Sequence, residues 1–203
     1  MALELEGRWQ LGDLQCLRRG LKKLGLNTLD RYESYFERTI ILRRCREEDR
    51  KEYRLRIIVR RGGLRGPVDT ELWFGRKSET EIIEGLRSRN EHEERLDSSL
   101  GVEKVLSCLR LRELKEDFIY EDIRKDIPLM QTCVSLRTFP FIGNWVEIEG
   151  DHAAIHRTLK LFGFRIENAV TKSWKEIFRE YCAKNGVGAE NMTFAEAAKW
   201  QTK

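Results

Sequence analysis

The sequence predicts an α+β protein in which an antiparallel sheet of eight or nine strands is followed by helices. Three observations predict it. Period-two alternation of apolar and charged residues recurs along segments that all lie before residue 150. After that point, apolar residues fall at helical spacing. Charges at i and i+2 recur on five strand segments, more regularly than the wet face of an ordinary sheet requires.

Strand and helix alternate from the start. Leu3, Leu5, Gly7 and Trp9 point one way and Glu4, Glu6 and Arg8 the other, as a strand requires. Asp13 then caps a helix carrying Leu14, Leu17, Leu21 and Leu24 and ending at Gly25. Residues 31–43 and 53–59 read as the second and third strands, joined by the charged turn RRCREEDRKE. Gly62, Gly63, Gly66 and Pro67 form a loop before a fourth strand over 70–74, and 76–79 reads as a turn. Residues 86–95 read as a largely polar strand or, equally, as a helix start.

Leu100, Val105 and Leu109 give 97–108 a helical spacing, after which 109–112 alternates again as a strand. Strands at 118–120, 133–136 and 145–149 complete the set. Helices follow at 151–162, 172–184 and 192–201, the second opening on a Ser173–Glu176 capping box with Gly186 past its end. The last one either docks on the body or acts as a mobile lid.

Composition excludes several classes. Lys and Arg number 38 and Asp and Glu 34 among 203 residues, so the net charge is only +4, and 40% hydrophobic residues suffice for a packed core. The length suits one domain over 1–185 with a helical tail over 186–203. No stretch approaches the roughly 18 apolar residues of a membrane span, and MALELEGRWQ lacks the regions of a secretory signal, so a cytoplasmic protein is expected. Five widely spaced cysteines without a CxxC pair fit reduced, structural thiols.

The charge alternation carries the chemistry. Glu4, Glu6 and Arg8 share a face, as do Arg54 and Arg56, Arg89, Glu91 and Glu93, Arg110 and Arg112, and Glu147 and Glu149. On an open sheet these groups face water. In a closed barrel of about eight strands they line an interior with room for one small ligand, and buried charge demands partners. Arginines would grip phosphate oxygens while paired carboxylates hold Mg²⁺ or Mn²⁺. A triphosphate with a divalent metal satisfies both sets.

These residues resemble a family. Glu4-Leu5-Glu6-Gly7-Arg8 is similar to the ExExK motif of the CYTH superfamily, the triphosphate tunnel metalloenzymes, with Arg for the final Lys. Tyr35-Phe36-Glu37 resembles its YFD strand, Arg54-Leu55-Arg56 its LRIR strand, Arg89 to Glu93 its RxExE strand and Arg110-Leu111-Arg112 its KxR. Ile142 to Gly150 resembles LGxFVEIEG, and a Phe162-Gly163-Phe164 turn and a Lys172-Ser173-Trp174 helix start follow.

The resemblance implies an antiparallel barrel forming a charged tunnel, and a triphosphatase, with a class IV adenylyl cyclase or an impaired triphosphate-binding module as alternatives. It implies Glu4, Glu6, Glu91, Glu147 and Glu149 as metal-side carboxylates, with Glu91 and Glu93 on a second metal or orienting arginines. Glu4, Glu6 and Arg8 would be catalytic. Arg8, Arg54, Arg56, Arg76, Lys77, Arg89, Arg110 and Arg112 would bind a small-molecule substrate: inorganic triphosphate, thiamine triphosphate or ATP.

Three departures stand out. The family's TxK corresponds to Trp73-Phe74-Gly75, with Arg76 and Lys77 just beyond it. The acidic partner of its LD pair is Arg137, which either points inward beside the metal or is solvated, and Arg8 replaces a lysine. Arginines interleaved with glutamates, without an exposed aromatic and basic stripe, argue against nucleic acid. No HExxH, Walker loop or GxSxG occurs. His152 and His156, spaced i, i+4 on a helix, form a pattern that can bind metal, but with His92 they read as surface or packing residues, Cys133 as a small core residue, and Trp174 and Tyr181 as packing their helix onto the sheet.

Overall fold

The computed structural model describes residues 2–26, 29, 32–44, 51–61 and 67–201, with residues 2–4 and 201 described by backbone alone. Nine strands are present among them: β1 (Ala2–Gln10), β2 (Tyr35–Arg44), β3 (Glu52–Arg61), β4 (Val68–Lys77), β5 (Glu81–Ile83), β6 (Leu86–Leu96), β7 (Leu114–Leu129), β8 (Thr132–Phe139) and β9 (Gly143–Gly150). Five helices accompany them: α1 (Gln15–Lys23), α2 (Val102–Leu111), α3 (His152–Phe162), α4 (Trp174–Asn185) and α5 (Phe194–Gln201).

Eight strands run in the order β1-β9-β8-β7-β2-β3-β4-β6, and β6 pairs back onto β1 to close a barrel, with β5 outside on β6. Every pairing is antiparallel. Closure gives every barrel strand a neighbour on both sides. It also inverts the usual arrangement of a small barrel, because the charged face of each strand points inward and the apolar face outward.

Helices cover that outer face. Leu17 and Leu21 of α1 and Ile155 and Leu159 of α3 pack with Trp9, Val134 and Ile148 in one cluster, while Val105, Leu106 and Leu109 of α2 pack with Leu55 and Leu72 in another. A Cβ on Gly7 would lie 2.3 Å from the Trp9 ring, so glycine there lets the indole lie back along β1. A third cluster is aromatic. Trp174 and Phe178 of α4 meet Phe118, Tyr120, Phe139 and Trp145, capping the interior where β8 ends and β9 begins. Tyr181 packs at its margin, and the Ser173–Glu176 capping box and left-handed Gly186 bound α4 as expected.

Two sequence expectations fail. Residues 109–112 are not a strand: α2 runs to Leu111 with Arg112 as its C-cap, because the helical period of Val105, Leu106 and Leu109 buries one face and leaves Leu111 86% exposed. Residues 76–79 are not wholly a turn either, since β4 continues to Lys77. Residues 45–50 and 62–66, and with them Cys45 and the loop glycines, lie outside the described residues. The tail helix docks. β8 pairs with β7 only from Ile123 onward, and Met192 fills the edge left beside it by donating to Ile119 O and accepting from Glu121 N, both at 2.9 Å. Among the described residues no helix is long and apolar enough to cross a membrane, and the four described cysteines are free thiols.

Candidate active site in the barrel interior

The inward faces enclose a chamber of about 120 Å³ lined almost wholly by charge. Seven cations (Arg8, Arg54, Arg56, Lys77, Arg89, Arg124 and Arg137) face six carboxylates (Glu6, Glu37, Glu91, Glu93, Glu147 and Glu149). Their pairing follows from strand register. Glu6 stands beside Glu149 across the β1–β9 seam and beside Arg87 across the β1–β6 seam.

Glu6 is the hub. Its Oε1 accepts from Arg87 at 2.7 Å, Arg8 at 2.8 Å and Arg89 at 3.1 Å. Arg8 also donates to Glu147 Oε1 at 2.7 Å, and Arg137 donates to Glu147 Oε2 at 3.0 Å while gripping both oxygens of Asp122 at 2.8 and 2.9 Å. The Trp174 ring backs this layer, 4.4 Å from Arg8 and 5.4 Å from Arg137, so two guanidiniums stack on the plug that closes the barrel.

The opposite wall joins this layer through Arg137, 3.6 Å from Glu37. Arg56 bridges Glu37 at 2.8 Å and Glu93 at 2.7 Å, and Lys77 meets Glu91 at 2.6 Å. A Cβ on Gly75 would fall 2.6 Å from Glu93 Cγ and 2.9 Å from the His92 carbonyl oxygen, so glycine there gives Glu93 the room to reach Arg56.

Burial sharpens these interactions. It would raise the Glu147 and Glu37 carboxyls, but Arg8 and Arg137 beside the first, and Arg56, Arg124 and Arg137 beside the second, hold both well below the usual carboxylate range. Asp122 is raised, because burial outweighs Arg137. Arg87 is brought down to about 9 by burial and then by Arg8, against the pull of Glu6. Three guanidiniums on one carboxylate oxygen leave a local excess of positive charge, which an anion would relieve.

Ligand oxygens of Glu6, Glu147 and Glu149 all lie within 4.8 Å of one another. An all-carboxylate donor set of this kind fits a hard divalent ion such as Mg²⁺ or Mn²⁺. Arg8 and Arg137 already share the charge of Glu147, so an ion would enter in competition with them. Beside the chamber, and sharing Arg89 with it, lies a wider vestibule of about 630 Å³. Seven cations line it (Arg43, Lys51, Arg87, Arg89, Lys172, Lys175 and Arg179) against Glu52, Glu79 and Glu176, and Ile82 is its one apolar side chain among the described residues.

No protein-family model and no curated protein matches the chain by sequence. Solved structures do match. A Pyrococcus horikoshii protein superposes with a TM-score of 0.65 at 19% identity, over 87% of this chain and 98% of its own. A candidate adenylate cyclase of Vibrio parahaemolyticus gives 0.62 at 13% identity over 87% and 98%. A candidate adenylyl cyclase of Hippeastrum with a dominant triphosphatase activity gives 0.58 at 14% over 87% and 95%. The chain shares its fold with these proteins.

Within that barrel, Glu6, Arg8, Arg54, Arg56, Lys77, Arg89, Glu91, Glu147 and Glu149 all line the chamber, where the sequence reading put them. Glu91 stands apart from the three-carboxylate cluster. Glu4 pairs opposite Arg89 in the backbone register, and its side chain lies outside the described residues. Three expected phosphate ligands are misplaced. Arg110 and Arg112 sit exposed on α2 and its cap, and Arg76 is exposed on the outer face of β4, because strand alternation that turns Lys77 inward must turn its neighbour out. Lys77, two positions on from Gly75, turns inward on the same side of β4.

Sequence reasoning missed Arg124, Asp122, Asp126 and Arg87. The signal was present, because Asp122, Arg124 and Asp126 alternate along β7 as charges do on the other strands. Tyr35 and Ser135 both bond Asp126, which also takes Arg124 at 2.7 Å. Arg137 points inward and is buried. Cys133 lies half-buried beside Ser135 rather than in the core, its thiol pushed up to about 11 by burial and then by Asp126. His92 is exposed on the outer face, as expected.

Proposed function

We propose that the chain is a metal-dependent triphosphatase acting inside its barrel. The observation that carries this reading is the convergence of Glu6, Glu147 and Glu149 with seven cations in one enclosed chamber. The triphosphatase activity named for the Hippeastrum relative points the same way. Glu6, Glu147 and Glu149 would hold Mg²⁺ or Mn²⁺, which when bound neutralises phosphate charge and lowers the pKa of water. Arg8 and Arg137 fix the Glu147 carboxylate from both oxygens. Arg54, Arg56, Lys77 and Arg89 would hold the phosphate chain and offset charge on the transferred group, Arg56 and Lys77 exchanging part of their contact with the partly buried Glu93 and Glu91 for phosphate oxygens.

Hydrolysis is favoured over cyclisation by the vestibule, which among the described residues offers adenine a single apolar side chain, Ile82. Inorganic triphosphate suits it better than ATP or thiamine triphosphate. A second reading, a receptor that binds triphosphate without turnover, is favoured by one observation: Arg137 occupies Glu147 Oε2, where a metal would otherwise sit.

The test is release of orthophosphate, pyrophosphate and cyclic AMP from inorganic triphosphate, thiamine triphosphate and ATP, with Mg²⁺, Mn²⁺ or chelator. Metal-dependent orthophosphate release, abolished in Glu149→Gln with the fold intact by circular dichroism, is expected. Pyrophosphate with cyclic AMP would replace the reading by a cyclase. Tight binding without product would leave the receptor.

A further inference from the structure

A second group of metal-ligating atoms lies outside the barrel. His152 Nε2 stands 2.6 Å from Glu84 Oε2 and 3.3 Å from His156 Nε2, and the three donor atoms converge on one point within 4.8 Å of one another. The two imidazoles come from successive turns on one side of α3, and the carboxylate comes from the turn between β5 and β6. Three side chains from two separate elements thus meet at one place.

We propose that Glu84, His152 and His156 form a transition-metal site of the Zn²⁺ class. Zn–N bonds of about 2.0–2.1 Å in a tetrahedron set ligand atoms about 3.3 Å apart, which is the spacing of the two imidazole nitrogens. The Glu84 side chain is 68% exposed and can retreat the roughly 0.7 Å that a shared ion requires. Two imidazoles and one carboxylate suit Zn²⁺ or Co²⁺, whereas Mg²⁺ and Mn²⁺ prefer the all-oxygen set of the chamber. The fourth position faces water, as expected where His152 is 44% exposed.

An ion here fastens the β5–β6 turn to the first turns of α3. Glu79, Thr80 and Ile82, immediately before that turn, line the basic vestibule, so metal on the outer surface braces the wall of the cavity beside the chamber. The site is independent of the barrel's activity. Glu84 and Gly85 have φ of 50° and 83°, the two-residue hairpin geometry in which Asn-Gly is favoured. Glu84→Asn therefore keeps the turn while removing the charged ligand.

The full chain is titrated with Co²⁺, followed by the visible absorption of tetrahedral Co²⁺, and with Zn²⁺ by calorimetry, both in excess Mg²⁺. One saturable equivalent with tetrahedral absorption is expected. His156→Ala and Glu84→Asn should each weaken it by roughly tenfold or more, since even an outer-shell partner is worth about 10–100-fold, while Glu149→Gln leaves it unchanged. No saturable binding would overturn the proposal. So would binding that survives His156→Ala and Glu84→Asn and disappears in Glu149→Gln, because the ion would then be in the barrel.

Discussion

The chamber and the vestibule share Arg89 but handle charge in opposite ways. In the chamber seven cations meet six carboxylates and bond one another across closed strands. In the vestibule seven cations meet three carboxylates in a cavity several times larger. The difference teaches that the chamber's charges hold the barrel's shape as well as any ligand, whereas vestibule cations such as Arg43, Lys175 and Lys172 are held by the more exposed Asp117 and Glu180, with which an incoming anion would compete. Desolvated ions must be paired to be tolerated, and solvated ones need not be.

The largest effect should follow from breaking a chamber pair. Glu147→Gln leaves Arg8 and Arg137 buried without their shared carboxylate and should cost about 3–5 kcal/mol in urea unfolding. Arg137→Asp should be comparably damaging, because it places a carboxylate against Asp122 and Glu147 and within reach of Glu37. The exchange Asp122→Arg with Arg137→Asp rebuilds one pair and should recover part of the loss. A cost below about 1 kcal/mol for Glu147→Gln would mean a hydrated chamber, and the contrast with the vestibule would collapse.

How much of this the sequence disclosed follows the same divide. The strands that build the chamber were legible because period-two charge is rare enough to notice, and Glu6, Arg56, Arg89 and Glu147 all face where alternation put them. Alternation also misled. Leu109 to Arg112 alternates by residue type, but the buried stripe of Val105, Leu106 and Leu109 decides in favour of helix. Arg76 was misplaced because where β4 ends is fixed by pairing to β6, with Lys77 opposite Glu91, and that is a long-range fact. The Asp122–Arg137 pair needed the β7–β8 register, and the third metal-class ligand, Glu84, needed a hairpin folded against a helix. The i, i+4 spacing of His152 and His156 alone did not supply it.

An intermediate effect should appear on acidification. Glu37 and Glu147 titrate in the native state below the usual 4.5, so their stabilisation is fully present above that value and is lost as pH falls through the lower native ones. Asp122, raised above its usual 3.8, opposes this, since its protonation relieves a native-state penalty. Two depressed groups outweigh one raised group. Melting temperature should therefore hold steady above about pH 5 and decline below it. A melting temperature that rises on acidification would assign the balance to Asp122 and show the chamber to be strained by its acids.

The smallest effect belongs to the vestibule. Arg179 is exposed on α4 and lines that cavity. Arg179→Ala should change stability by no more than about 0.5 kcal/mol. Its contribution to an anion is a screened contact worth about 1 kcal/mol at most, so affinity for inorganic triphosphate should fall roughly two- to fivefold at low salt. The difference between variant and parent should shrink as ionic strength shortens the Debye length. Calorimetric binding at two salt concentrations reads both effects. If the affinities coincide even at low salt, the anion does not pass along α4, and the surplus charge of the vestibule then serves something other than the chamber's ligand.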